Sequence, residues 1–135
     1  MSLSVADLYK YSPIIQNIAS GGVTATVTVG ANIPANSVVR IDSNGKLVQA
    51  FATTGNFANL AGFTLAGASS GFACTFYPSG ASAPYTGLTA GATYFLAADG
   101  SLTTSSTPAG SPASIKVGYA PNASTFAVNL STFLL

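Results

Sequence analysis

Residues 38–48, VVRIDSNGKLV, decide the fold that we predict for this chain. Two runs of β-branched and apolar residues flank the residues DSNG. This pattern predicts a β-hairpin with its turn at Asn44-Gly45, because Asn and Gly tolerate the positive φ values of a tight hairpin turn. Residues 93–103, TYFLAADGSLT, have the same pattern with Asp99-Gly100 at the turn. Neither hairpin carries obvious reaction chemistry, which favours a structural role.

The chain on both sides of these hairpins also has strand patterns. Residues 23–29, VTATVTV, alternate Val and Ala with Thr, as a half-buried strand does. Beyond residue 20 we predict about nine or ten short strands, separated by turns rich in Gly, Pro, Asn and Ser. This spacing is typical of an all-β barrel or sandwich. Few charged residues guard the strand edges, which favours a closed sheet or edge pairing with a neighbour.

The two hairpins begin longer stretches that match, at about residues 36–77 and 92–130. Gly62 and Gly118 each lie inside a predicted strand, where a glycine indicates a bulge, a bend or a close backbone approach. We therefore predict one barrel or sandwich built from two similar β-units, within a single domain at residues 21–135. Three landmarks carry the match: GKL at 45–47 with GSL at 100–102, GF at 62–63 with GY at 118–119, and FA at 72–73 with FA at 126–127.

Residues 1–20 form a segment with a different pattern, which we interpret as an N-terminal arm. Ser4 and Asp7 resemble a helix cap, and Pro13 limits a helix to about two turns. The arm is predicted to be a short helix or an extended segment, and the alternative is a strand packed on its own domain. It lacks the basic and apolar regions of a Sec signal, so we expect a protein made and used without Sec export.

Charge is scarce in this sequence. The chain has four basic residues, three acidic residues and no His, so 5% of it is charged, against about a quarter in ordinary soluble domains. Either Ser, Thr, Asn and Gly solvate the surface, or other subunits cover much of it. The net charge of +1, without a basic cluster, argues against nucleic-acid binding. The sequence contains no apolar run of about 18 residues, so no transmembrane helix is predicted.

Candidate catalytic residues are few. Without His there is no imidazole base or ligand, and Asp42 and Asp99 are predicted to bond the backbone of their own turns. Cys74, in an apolar run, is predicted to be a buried small hydrophobe. We expect no enzyme activity, no cofactor and no metal site. Tyr77 and Tyr85 flank a loop and could stack on a sugar or a partner, or could frame the loop by packing.

The segments at residues 38–47, 60–63, 91–102 and 116–120 together resemble a module of small β-rich accessory proteins of tailed-bacteriophage virions. Such a module occurs in capsid decoration (cement) proteins and in fibre or spike proteins, and the resemblance covers about residues 36–130. It implies a β-barrel-like fold, commonly trimeric, with arms that latch onto neighbouring subunits. It brings no catalytic residues.

The resemblance implies a viral structural protein that binds the outer capsid surface and stabilises the shell. Its partners would be the major capsid protein or other virion subunits, in a homotrimer made in the host cytoplasm, with no nucleic acid or membrane bound. The alternative is a tail-fibre or head-spike module that binds a host receptor or glycan through Tyr77 and Tyr85. The predicted interface residues, in the arm and at the C-terminus, are Leu3, Val5, Leu8, Tyr9, Ile14, Ile15, Ile18, Phe133 and Leu134.

Overall fold

The computed structural model of the protein describes residues 24–134. Within them the chain forms ten strands and no helix, and the strands make two antiparallel sheets of five strands each. The predicted all-β class, a small barrel or sandwich, is confirmed. The predicted arm at residues 1–20 lies outside the described residues.

The two sheets share one strand order. The first sheet has the order β1-β5-β4-β2-β3, and the second has the order β6-β10-β9-β7-β8, which is the first order displaced by five strands. The fold therefore consists of two similar β-units, each drawn from a continuous half of the chain. The strands are β1 (Ala25–Thr28), β2 (Ser37–Ile41), β3 (Leu47–Gln49), β4 (Leu60–Thr64), β5 (Ala73–Pro78), β6 (Ser82–Ala83), β7 (Thr93–Leu96), β8 (Leu102–Thr103), β9 (Ala113–Asn122) and β10 (Thr125–Leu134).

Gly62 and Gly118 occupy equivalent places in the two units. Gly62 pairs with Val39 on β2 and Gly118 pairs with Tyr94 on β7, and in each case the register shifts at the next residue of the partner strand. A Cβ atom on Gly62 or on Gly118 would collide with a carbonyl oxygen of the neighbouring strand. The close approach and the irregularity that the sequence predicted at both glycines are confirmed.

The same two glycines correct the third landmark of the repeat. A Cβ atom on Gly62 would lie 3.0 Å from the ring of Phe76, and one on Gly118 would lie 3.1 Å from the ring of Phe126. Phe76 is therefore the counterpart of Phe126, and the match of Phe72 with Phe126 was wrong. The reason is loop length, because residues 65–72 join β4 to β5 while residues 123 and 124 alone join β9 to β10.

The two hairpin turns have the same backbone hydrogen bonds. In the first, the amide of Gly45 donates to the carbonyl of Asp42 at 3.1 Å, and the amide of Asp42 donates to Lys46 at 2.9 Å. In the second, Gly100 donates to Ala97 at 3.0 Å, and Ala97 donates to Ser101 at 2.9 Å. The two turns therefore correspond residue by residue, with Gly45 equivalent to Gly100.

This register agrees with the predicted match of Asn44-Gly45 with Asp99-Gly100 and corrects one detail, the number of left-handed residues in each turn. Asp42 corresponds to Ala97, so Asp42 and Asp99 lie at different positions of matching turns. Asp99 corresponds instead to Asn44, and only the glycine that follows each has a positive φ, 75° at Gly45 and 88° at Gly100. The turn therefore spans four residues and needs one left-handed residue, rather than a left-handed Asn-Gly pair.

The first sheet curls until its two ends meet. Val29, just after β1, forms a parallel bridge with Leu47 on β3, and the amide of Gly30 donates to the carbonyl of Leu47 at 2.8 Å. Because β1 and β3 are the terminal strands of this sheet, the bridge encloses one core. The buried residues of that core are Ala25, Val29, Ile33, Val39, Leu47, Cys74 and Phe76.

A second core lies between the two sheets. The side chains of Val38 and Phe63 project from the outer side of the first sheet and pack among buried side chains of the second sheet. The ring of Phe63 meets the ring of Phe126 edge to face, with their centroids 5.2 Å apart. Val38 and Val39 are consecutive and point to opposite sides of β2, so both faces of the first sheet are buried at this strand. The second-sheet residues of this core are Ala83, Leu96, Ala113, Ile115, Val117, Phe126 and Val128.

Replacing Phe63 by Ala tests the contact between the sheets. The ring is fully buried, so we expect Phe63→Ala to lower the free energy of unfolding by about 3–5 kcal/mol, as for other buried Phe residues. Phe72, 69% exposed, is the matched control, and Phe72→Ala should change stability by less than about 0.5 kcal/mol. Urea unfolding measures both, and equal midpoints for the two variants would contradict the packing.

A second prediction concerns the bulge at Gly118. The Cβ atom of Gly118→Ala would collide with the carbonyl of Ala127, so we expect a loss of about 1–3 kcal/mol of stability. Gly45→Asn is the control, since nothing lies within 4 Å of a Cβ atom there and Asn tolerates positive φ. Thermal unfolding should separate the two, and an unchanged melting temperature for Gly118→Ala is the result that rejects the close approach.

Candidate functional site

The carboxylates of Asp42 and Asp99 accept hydrogen bonds from backbone amides of their own hairpin turns. The Oδ1 atom of Asp42 accepts the amides of Asn44 at 2.9 Å and Lys46 at 3.0 Å. The Oδ1 atom of Asp99 accepts the hydroxyl of Ser101 at 2.6 Å and its amide at 3.0 Å. The Ser101 side chain, then its backbone amide, lower the pKa of Asp99 from its usual value. In residues 24–134 no three His, Cys, Asp or Glu side chains are grouped as a metal site requires.

Cys74 lies in the core enclosed by the first sheet. The residue is 3% exposed, and its Sγ atom is 3.5 Å from the Oγ1 atom of Thr64. The hydroxyl of Thr64 also donates to the carbonyl of Ala66 at 2.6 Å, so this small polar group is satisfied inside the core. The thiol faces protein atoms, and its surroundings are those of a packing residue.

The structure brings Tyr77 and Tyr85 onto one core. The ring of Tyr85 stacks on Phe63 with centroids 5.4 Å apart and meets Phe126 edge to face at 6.4 Å. Tyr77 pairs with Phe63 across β4 and β5 and packs against the same core. Both tyrosines are half-buried. The loop between them contains β6, which pairs with β10, so this segment completes the second sheet.

An outward-facing surface of the second sheet is the candidate site. Side chains paired across an antiparallel ladder share a face, and Tyr119 pairs with Thr93 on one side and Ala127 on the other. The ammonium of Lys116 lies 5.9 Å from the ring centroid of Tyr119, which places it on the same face. We call this surface the outer face. By the same ladders it consists of Thr93, Phe95, Ser114, Lys116, Tyr119, Ala127, Ser131 and Phe133.

The outer face has a buried counterpart on the first sheet. There the row Val38, Phe63 and Tyr77 occupies the place that Thr93, Tyr119 and Ala127 occupy on the second. The row on the first sheet packs into the core between the sheets. On the second sheet, Tyr119 remains 42% exposed and Phe133 72% exposed. A position that is a core contact in one unit is thus a surface in the other.

Phe133 was predicted from the sequence as an interface residue, but the exposed Tyr119 and the half-buried Phe95 beside it were not. The sequence did contain a signal for Tyr119, because the match of GF at 62–63 with GY at 118–119 makes Tyr119 the counterpart of Phe63 in the second unit. Which of the two would be covered depends on how the sheets stack, and strand patterns do not contain that information. The arm residues predicted for the interface, Leu3, Val5, Leu8, Tyr9, Ile14, Ile15 and Ile18, lie outside the described residues.

A depression of about 400 Å³ adjoins the outer face at Tyr119. Its wall is the segment that carries the chain from β5 into β6, where the amide of Gly80 donates to Val128 at 2.7 Å and the amide of Val128 donates to Ala81 at 2.9 Å. Besides Tyr119, the lining residues are Ser79, Gly80, Ala81, Ser82, Ala127, Val128 and Asn129. The depression is shallow and mostly polar, with one aromatic ring.

The far end of β10 has an open edge. Strand β6 pairs only with Phe126 and Ala127, and the hydroxyl of Ser79 accepts the amide of Leu130 at 3.1 Å. Past that point, no strand of the described chain pairs with the outer edge of residues 131–134. Neither Pro nor a charged residue occurs in β10, although natural edges commonly carry one or the other.

No protein-family model matches this chain, and no curated protein matches it. The candidate site therefore rests on its own geometry. Within residues 24–134, no helix has the length and apolar character needed to cross a membrane.

Arg40, on β2, is a partly buried cation. Its Nε atom is buried without a hydrogen-bond partner among the described residues. It follows the register shift on β2, as Phe95 does on β7. A buried donor without a partner costs roughly 1–3 kcal/mol. The phenyl ring of Phe95, at the equivalent position, has no donor that would carry this cost.

Replacing Arg40 by Met removes the unsatisfied donor while keeping an unbranched apolar side chain. We expect Arg40→Met to leave the free energy of unfolding unchanged or to raise it by about 1 kcal/mol. Guanidinium unfolding gives the comparison, with Lys116→Met as the control on the exposed outer face. A loss of more than about 2 kcal/mol for Arg40→Met would indicate that the guanidinium has a stabilising partner.

Proposed function

We propose that this chain is a structural protein of a tailed-bacteriophage virion, which binds the outer surface of the capsid and stabilises the shell. The observation that carries the proposal is the outer face. It presents an exposed Tyr119 and an exposed Phe133, and the counterpart of Tyr119 in the first unit, Phe63, packs in the core between the sheets. The resemblance of residues 36–130 to virion accessory modules gives the class of partner, namely the major capsid protein or other virion subunits.

The physical basis of attachment is burial of apolar surface. Aromatic residues are enriched and charged residues are depleted at the centres of protein interfaces, and the outer face has three aromatic rings and one charge, that of Lys116. A standard interface buries roughly 800 Å² on each partner. A subunit bound across neighbouring capsid proteins stabilises the bound shell by mass action, since it binds the assembled form and not the dissociated one.

Scarcity of charge agrees with this role. With 5% charged residues, the chain pays little desolvation cost when its surface is covered, because ionised groups are the most expensive to bury. A homotrimer, as the resemblance implies, would place three outer faces on the same shell. Three linked contacts raise the overall affinity well beyond that of one, provided that all can engage at once.

Binding to capsid shells that lack the chain tests the proposal. We expect Tyr119→Ser and Phe133→Ser each to weaken attachment by about ten-fold or more, because a central aromatic contact contributes roughly 1.4 kcal/mol or more. Phe72→Ser is the control matched to Phe133→Ser, since Phe72 is about as exposed as Phe133 (69% and 72%) but lies in the loop before β5. Co-sedimentation with shells measures attachment.

The outcomes separate clearly. Retained attachment of both outer-face variants, with loss only for Phe72→Ser, would move the interface to the other sheet. A wild-type chain that never sediments with shells of the phage that encodes it, and leaves their melting temperature unchanged, rejects the decoration role.

The second candidate is a tail-fibre or head-spike module that binds a receptor or glycan. The depression beside Tyr119 favours it, since an aromatic ring bordered by Ser79, Ser82 and Asn129 offers stacking and hydrogen bonds to a sugar. A glycan array distinguishes the two candidates. Binding of one sugar class that is lost in Tyr119→Ser, together with absence from capsid shells, supports the fibre or spike role.

A further inference from the structure

Lys116 is the only charged residue of the outer face, and it lies near the middle of that surface. Across the ladders it pairs with Phe95 on β7 and with Ser131 on β10. Its ammonium lies 5.9 Å from the ring centroid of Tyr119. A cation–π contact of this kind orients the ammonium but leaves its positive charge uncompensated.

No carboxylate within residues 24–134 compensates this charge. The eight residues of the outer face include neither Asp nor Glu. Asp42 and Asp99 accept hydrogen bonds inside their own hairpin turns, and neither forms an ion pair with Lys116. In the described part of the chain, the outer face is therefore a surface with three aromatic rings and one cation that has no opposite charge.

Attachment of the outer face to another protein removes water from this ammonium. A charge that is buried without an opposite charge is strongly destabilising, whereas a hydrogen-bonded ion pair offsets that cost. We infer that the capsid surface seated on the outer face presents an Asp or Glu carboxylate opposite Lys116, within an otherwise apolar patch. The inference rests on the proposed function, because it names the chemistry of the partner at the same surface.

A second copy of this chain fits the outer face less well than an acidic partner does. A symmetric contact between two outer faces brings the same residues of both copies together near its axis. The two Lys116 ammonium groups would then meet without a carboxylate on either face, and like charges across an interface suppress the wrong partner. Lys116 thus opposes self-association through this aromatic surface and selects a partner with the opposite charge.

The sign of the effect of Lys116→Met on attachment to capsid shells tests the inference. The variant removes the charge and keeps an unbranched apolar side chain. We expect it to weaken attachment by about ten-fold or more, because it leaves the carboxylate of the partner buried without a cation. If no carboxylate faced Lys116, the variant would remove only a desolvation cost. Unchanged or stronger attachment in co-sedimentation therefore overturns the inference.

Two further variants serve as matched controls. Lys46→Met removes one positive charge from the exposed turn of the first hairpin and should attach to shells as the wild-type chain does. Lys116→Arg keeps the charge and can stack on Tyr119, so it should restore most of the attachment that Lys116→Met loses. Equal losses in Lys46→Met and Lys116→Met would make the effect one of net charge, and this outcome also rejects the acidic partner.

Carbodiimide crosslinking of chains bound to shells identifies the carboxylate directly. The reagent activates a carboxylate, and the amine of a lysine in contact with it displaces the reagent to form an amide. We expect Lys116 to be joined to an Asp or Glu of a shell protein, and Lys116→Arg to attach without forming that bond. Peptide mapping that joins Lys116 to an acidic residue of this chain, Asp7 included, would overturn the assignment, as would attached chains in which Lys116 forms no such bond.

These outcomes separate the inference from the proposed function. Attachment that is lost in Tyr119→Ser but retained in Lys116→Met rejects the acidic partner and leaves the capsid role standing. A wild-type chain that does not attach to shells rejects both. Association of wild-type chains with each other that Tyr119→Ser abolishes would make the occupant of the outer face a second copy, and this too overturns the inference.

Discussion

The packing of Phe63 against Phe126 is the contact on which the two halves of this molecule depend. Each sheet is complete in its own half of the chain, so what joins them is burial of the first sheet's outer side in the second. Phe63 lies at the centre of that contact, edge to face with Phe126 and stacked on Tyr85. Aromatic pairs in these geometries contribute beyond their buried area, and three rings meeting at one point fix the sheets relative to each other.

The two units differ in the length of their first strand, which is β1 in the first unit and β6 in the second. Ala25 pairs with Phe76 in the first unit and Ala83 pairs with Phe126 in the second. The first unit continues with Thr26 and extends to the bridge that closes its sheet. The second continues with Pro84, which has no amide hydrogen to donate and ends the pairing. The chain then leaves the ladder, and Tyr85 turns into the core between the sheets. Pro84, together with the start of β10 at Thr125, one residue before Phe126, leaves the second sheet without a counterpart of residues 26–28.

The sequence predicted the class of fold, the two hairpins and the matching glycines, because each depends on local chemistry. Alternation reveals a strand, and Gly inside a strand indicates a close approach. It did not predict β6, since Ser82 and Ala83 have little strand propensity and form a strand only because β10 lies beside them. The sequence also did not predict that Tyr119 would be exposed, for a related reason. Phe63 and Tyr119 are equivalent in sequence, and only the stacking of sheets makes one of them core and the other surface.

Because the chain is synthesised from its N-terminus, the separation of the two sheets along the sequence has a consequence for folding. The first sheet uses residues 25–78 and closes through the bridge of Val29 to Leu47 without any residue of the second half. It can therefore form while the second half is still being synthesised. In such a partly synthesised chain Val38 and Phe63 would face water, and this apolar surface would stay exposed until the residues of the second sheet emerge to cover it. Synthesis itself thus exposes, for a short time, the surface that the finished fold buries.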